Sequence, residues 1–159
     1  MLTETFDKKF MHYIDTPSYD MELTSKYCKT LLVQLFDKIC SEISPEEFIV
    51  LDTISCNNGL CQRDLARLIL KDRANTGRVL DSLEKKNFII RYNDTKNNRL
   101  VRKVNITKMG LDMLEKLTLR FQPYHEQMCK LFNDEDLLIL KASLKKIRDA
   151  ISKIVELQI

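Results

Sequence analysis

Glycine and proline are scarce in this sequence, with 3 of each in 159 residues, where about 7% and 5% are usual. So few chain breakers exclude an architecture of many tight turns and favour long helices. No run of about 18 apolar residues occurs, which leaves no segment able to cross a bilayer as a helix. The opening stretch MLTETFDKKFMHY interleaves acids and bases and lacks the apolar core of a secretion signal. A cytoplasmic protein is expected. Histidine is limited to His12 and His125, which supports neither a Ser/His/Asp set nor a zinc site. Cysteine is odd in number, at 28, 40, 56, 61 and 129, and in a cytoplasmic chain such thiols read as reduced. Cys56 and Cys61 do not have the C-x2-C spacing of a zinc ligand pair. No Gly-rich phosphate loop is present either. The paired carboxylates, Glu46-Glu47 and Asp134 to Asp136, fall at helix starts, where capping and the helix dipole account for them. Neither an enzyme nor a metal or cofactor protein is expected.

What the chain does have is an uneven distribution of charge. Its net charge is +3. Residues 61 to 110 carry 13 Lys and Arg against 5 Asp and Glu, and the rest carries 13 against 18. A basic centre within an acidic frame suits a module that meets a polyanion; the alternative is a solvated charged face.

Apolar periodicity predicts helices over 3–15, over Met21 to Ile43, and from SPEEFIVLDTI onward, where Ser44, Pro45 and Glu47 make a capping signal. QRDLARLIL (62–70) is a short helix, and Asp72 caps the next, KDRANTGRVLDSLEKKNFII. Asn87 stands where a left-handed cap would close that helix. FIIRY and LVRKVNI, β-branched and basic, flank the turn residues NDTKNN and predict a hairpin. Two further helices follow, the first kinked or broken near Pro123 and the second capped by Asn133.

The helix after Asp72 is unusual in its leading half. Arg73, Ala74, Asn75, Thr76, Gly77 and Arg78 offer little to bury, whereas Val79, Leu80 and Leu83 form an apolar face. Such a division suits a recognition helix, whose N-terminal half enters the major groove while its C-terminal half stays packed. Arg and Asn are the types that read guanine and adenine through paired hydrogen bonds. Arg73, Asn75 and Arg78 are therefore assigned to base edges; for Arg78 the alternative is a helix salt bridge to Asp81. Gly77 serves either a close approach to DNA or close packing on a neighbouring helix. Gln62, Arg63 and Arg102 are candidate phosphate contacts. Thr76 faces inward. Three short helices and a basic ribbon within 44–106 make a winged helix-turn-helix.

SPEEFIVLDTI, QRDLARLI, DRANTGRVLDSLEKKNFI and the helix-opening NITKMG, in this order and spacing, resemble the MarR (multiple antibiotic resistance regulator) family. The resemblance implies a mainly α fold with a small β-hairpin wing. It places the reader at 44–106 and dimerisation helices at 1–43 and 107–159, in one intertwined domain. It implies a homodimer on a pseudo-palindromic double-stranded DNA operator, usually a repressor released by a small-molecule effector or by thiol oxidation. Asn87 replaces the family's usual Gly. In the wing, the family's Asp-x-Arg triplet falls on Asn98-Arg99-Leu100, so Arg99 is taken as the minor-groove arginine, with Lys96 and Asn98 beside it.

Apolar stripes at both chain ends, including Phe6, Phe10, Leu31, Leu35, Leu137, Leu144, Ile147 and Ile151, exceed what a small reader can cover and support the dimer. The alternative is a helical bundle within one subunit. Tyr27, Phe36, Phe48 and Phe121 either line an effector pocket or pack as core. Cys28, near Lys26 and Lys29, is the candidate redox thiol; the alternative for every cysteine is small buried filler. A further reading keeps the winged helix but gives its basic face an acidic protein partner.

Overall fold

The computed structural model describes residues 12–39, 42–96 and 99–155, without the side chains of Lys96 and Arg99. The chain forms two compact units, Met1–Pro45 and Glu46–Ile159.

The first unit is built on helix α1, Pro17–Ile39, preceded by one 3-10 turn at Tyr13–Asp15. Phe6, Phe10 and most of the helix expected over 3–15 lie outside the described residues. α1 starts earlier than its apolar stripe suggested. Thr16 accepts from the Tyr19 N–H at 3.3 Å, and Pro17 occupies the first helical position, where its missing N–H goes unused.

The second unit contains α2 (Pro45–Ser55), β1 (Leu60–Cys61), α3 (Gln62–Leu68), α4 (Arg73–Lys85), β2 (Ile89–Lys96), β3 (Arg99–Ile106), α5 (Lys108–Cys129) and α6 (Asp134–Ile151). Its core is contiguous: Val50, Leu51 and Ile54 of α2, Leu65 and Ala66 of α3, Val79, Leu80 and Leu83 of α4, Phe88, Ile89, Val104, and Met113, Leu114 and Leu117 of α5 are all buried. The sheet runs β1-β3-β2, antiparallel throughout, with Leu60 opposite Val104 and Ile89 opposite Ile106. The fold is mainly α with a β wing, as expected, but the wing has a third strand. Two residues long, β1 carries no periodicity of its own and exists only through its pairing with β3.

Helix ends explain how the reader is assembled. α3 closes in a Schellman motif: Lys71 N–H reaches Ala66 C=O at 2.9 Å, and Leu70 takes a left-handed φ of 52°. α4 closes in the same way, with Phe88 N–H on Leu83 C=O at 3.0 Å and Asn87 at φ 60°, the role expected of Asn87. Thr107 then joins this corner to α5. Its hydroxyl donates to Asn87 C=O at 2.7 Å and accepts from Gly110 N–H at 3.0 Å, while its own N–H donates to Phe88 C=O at 3.0 Å. Gly110 is obligatory here, because a Cβ would lie 2.2 Å from the Phe88 carbonyl oxygen. The run NITKMG is therefore the joint between wing and scaffold.

Glu47 is buried and accepts from Ser82 Oγ at 2.6 Å and from Lys86 Nζ at 2.6 and 2.8 Å, tying α2 to the end of α4. Lys86 has a definite partner at the end of α4. α5 continues through Pro123, so of the expected kink or break the break does not occur. The C-terminal helix differs from everything before it. α6 spans 18 residues, capped by Asn133 on the Asp136 N–H at 2.8 Å, and buries none of them. Among the described residues no helix is long and apolar enough to cross a membrane.

Candidate nucleic-acid interface

α4 is divided along its length. The Asp72 carboxylate caps it, accepting from Asn75 N–H at 2.8 Å, and this bond holds the Asp72 carboxyl below its ordinary pKa. In the next turn Arg73, Ala74, Asn75 and Arg78 are exposed, while Thr76 is fully buried with its hydroxyl donating to Asp72 C=O at 2.8 Å. The second half is anchored by Val79, Leu80 and Leu83. A polar leading end thus projects from a helix fixed by its trailing end.

The exposed groups are ordered among themselves. Asn75 Nδ2 donates to Asp72 Oδ2, and Arg78 Nη1 donates to Asn75 Oδ1 at 3.1 Å, which strings three side chains along one face. The alternative pairing of Arg78 with Asp81 does not form; Asp81 accepts from Arg91 instead, at 2.6 Å. Gln62 opens α3 and donates its amide N–H to Arg73 C=O at 3.0 Å, so it holds the first turn of α4. A Cβ on Gly77 would approach Gln62 Nε2 to 3.1 Å, which gives the packing reason for that glycine.

Arg63 is exposed on α3 and Arg102 on β3. In the wing, Lys96 pairs with Arg99 in the strand register. Asn98 lies outside the described residues. Leu100, in the triplet position where the resemblance would place arginine, is 75% exposed. Farther down the ribbon Lys103 Nζ lies 2.6 Å from Asp94 Oδ2, which holds the Asp94 carboxyl below its usual range and raises Lys103.

Sequence reading missed Arg91. It looked like one more surface cation in FIIRY, yet its side chain is only 9% exposed and bonds to Asp81 and Glu84 of α4. The guanidinium holds the Glu84 carboxyl below its ordinary range. The available signal was Arg91 alternating in register with buried Ile89 on one strand.

The aromatic and thiol candidates fall in both units. Phe48 and Phe121 meet, ring centroids 5.5 Å apart, as α2 packs on α5. In the first unit Phe36 is buried and Tyr27 is exposed. Cys28 is exposed, and Lys26 beside it gives its ammonium to Glu22 at 2.7 Å.

Helix α3, a short turn, helix α4 and an antiparallel ribbon in this order define the winged helix-turn-helix class. Within that class the segment 43–101 matches the MarR family model. The chain shares its fold with S. aureus MepR in its DNA-binding conformation, at 24% identity and TM-score 0.72 over 86% of this chain and 98% of that one. The S. aureus MepR–DNA complex gives TM-score 0.69 at the same identity and coverage. A variant of E. coli MarR gives 0.67 at 22% identity over 86% and 98%. No curated protein matches the chain by sequence.

Proposed function

We propose that this chain is a sequence-specific DNA-binding transcriptional regulator. It acts as a homodimer on a pseudo-palindromic operator, as a repressor that a small ligand releases. The observation that carries this reading is the division of α4. Arg73, Asn75 and Arg78 are exposed on its leading half while Val79, Leu80 and Leu83 hold the trailing half in the core. A helix so mounted reaches into a major groove without losing its anchorage. Arg63 and Arg102, both exposed, stand on neighbouring elements where phosphates would run. The fold shared with MepR, whose DNA complex has been solved, supports the same docking.

The dimer is supported by α6 and the second half of α5. Leu119, Met128, Leu131, Leu138, Ile139, Leu144 and Ile154 are all exposed within one chain. A helix with no fully buried residue gains little tertiary stabilisation and calls for a partner surface. A second copy supplies it, over an area of about 2,000 Å² or more for an obligate interface.

The test is selection of bound fragments from a random duplex pool by the full chain, followed by titration of the selected duplex at several salt concentrations. A palindromic site with half-sites about one helical turn apart is expected. The log–log salt slope should be roughly −6 to −9, as when about seven to ten phosphates are neutralised. Recovery of no preferred sequence would contradict the reading and favour an acidic protein partner for the same face.

A further inference from the structure

The chain leaves α4 through the turn at Asn87, and Arg91 of β2 reaches back onto the helix just completed. Its Nε donates to Glu84 Oε2 at 2.9 Å, and its Nη2 donates to both Glu84 Oε2 and Asp81 Oδ1. Its backbone N–H donates to Glu84 Oε1 at 3.2 Å. Asp81 and Glu84 stand three residues apart and so share one face of α4. A planar guanidinium spanning two carboxylates fixes direction as well as distance, which a lysine ammonium cannot do.

Arg102 lies farther out on the same face of the ribbon. Arg91 is opposite Val104 and Asn93 is opposite Arg102 in the register, and alternate residues share a face. Arg102 is 57% exposed, and its Nη2 is 4.0 Å from the same Glu84 Oε2 that Arg91 holds. One arginine is fixed at the root of the wing, and the other is loosely held above it. Without Arg91, Asp81 and Glu84 would be two uncompensated carboxylates beside a mobile cation. They would draw Arg102 inward and repel any phosphate approaching that side.

We propose that Arg91 is a positioning residue: by occupying Asp81 and Glu84 it sets the angle of the wing on α4 and leaves Arg102 available to a phosphate of the duplex that α4 enters. This rests on the DNA-binding reading above. Arg91 touches no DNA in this arrangement, and its effect passes through Arg102 and the angle of the wing.

The experiment is a double-mutant cycle on the full chain, with affinity for the selected operator and for random duplex measured by fluorescence anisotropy at several salt concentrations. Thermal melting of each variant is followed in parallel. Arg102→Ala is expected to weaken operator binding about threefold to fivefold and to reduce the salt slope by about 2 in a dimer, one phosphate per subunit. Arg91→Ala is expected to weaken it about tenfold, and within that background Arg102→Ala should change affinity by less than about 1.5-fold, because coupled residues are non-additive. Arg73→Ala should remain additive with Arg91→Ala. Arg91→Lys, which keeps the charge and the fold but not the fork, should fall between wild type and alanine. Independent, multiplicative effects of Arg91→Ala and Arg102→Ala would overturn the proposal, as would wild-type binding by Arg91→Ala. Loss of the Arg73→Ala effect together with a collapsed melting transition would also overturn it, by making Arg91 merely structural. If the wild-type chain binds no duplex at all, the DNA-binding reading falls first. If it binds and only the coupling is absent, this inference alone falls.

Discussion

The reader region and α6 are both helical and both rich in leucine and isoleucine, yet they use those residues in opposite ways. In the reader, Leu51, Ile54, Leu65, Leu80 and Leu83 are fully buried within one chain, together with Leu117 of α5. In α6, Leu138, Ile139, Leu140, Leu144 and Ile151 remain exposed. Within one chain the first of these hydrophobic structures is closed and the second is left open to solvent. On the proposed dimer, the reader's stability is intrinsic and that of α6 comes from association. DNA reading and assembly should therefore respond separately to mutation.

The largest expected effect falls on the reader. Gly110→Ala places a methyl group 2.2 Å from the Phe88 carbonyl oxygen, and backbone cannot yield as a flexible side chain can. A loss of about 3 kcal/mol or more is expected, in the range of severe overpacking. Thermal melting of the variant checks it; an unchanged midpoint would break the account of the Thr107 joint. Next comes α6. Leu144→Asp is expected to move the chain from dimer to monomer in sedimentation at micromolar concentration, since a charge placed in an apolar interface core costs several kcal/mol. The reader's helical signal should survive. If the reader unfolds with it, the two regions are not separable. The smallest effect is at the turn before α4. Leu70 is exposed at φ 52°, so Leu70→Gly should stabilise the chain by about 1 kcal/mol by relieving a left-handed residue. Chemical denaturation midpoints resolve that change, and a loss of stability would mean that Leu70 has a packing role.

Where sequence reading succeeded, the signal was local. Asp72 as a cap, Asn87 in left-handed conformation, Thr76 turned inward and the presence of a hairpin each depend on neighbours within a few residues, although Asn93 to Lys96 of the expected turn NDTKNN belong to β2 and pair with β3. Where it failed, the determinant was distant. β1 exists because Leu60 and Cys61 meet Val104 and Lys103, and no two-residue stretch can announce that. Glu47 looked complete as a capping residue, but its carboxylate also holds Ser82 and Lys86 across the core. Arg91 carried only its alternation with Ile89 as a signal, and nothing nearby in sequence announced its partners Asp81 and Glu84. Pro123 misled in the other direction: a helix interior normally rejects proline, yet α5 runs through it. The outward face of α4 was legible because its composition alone separates a polar half from an apolar half. The network Asp72–Asn75–Arg78 along that face was not, since it depends on rotamers.

The central claim is that the leading half of α4 reads DNA while its trailing half only holds it in place. The most direct measurement compares Arg73→Ala and Arg78→Ala with wild type for operator affinity, random-duplex affinity and melting temperature. Each variant is expected to lose about tenfold or more in operator affinity, as when a paired base contact worth about 1–3 kcal/mol is removed. Random-duplex binding should weaken far less, and melting should not change. Undiminished discrimination between operator and random duplex in both variants would contradict it.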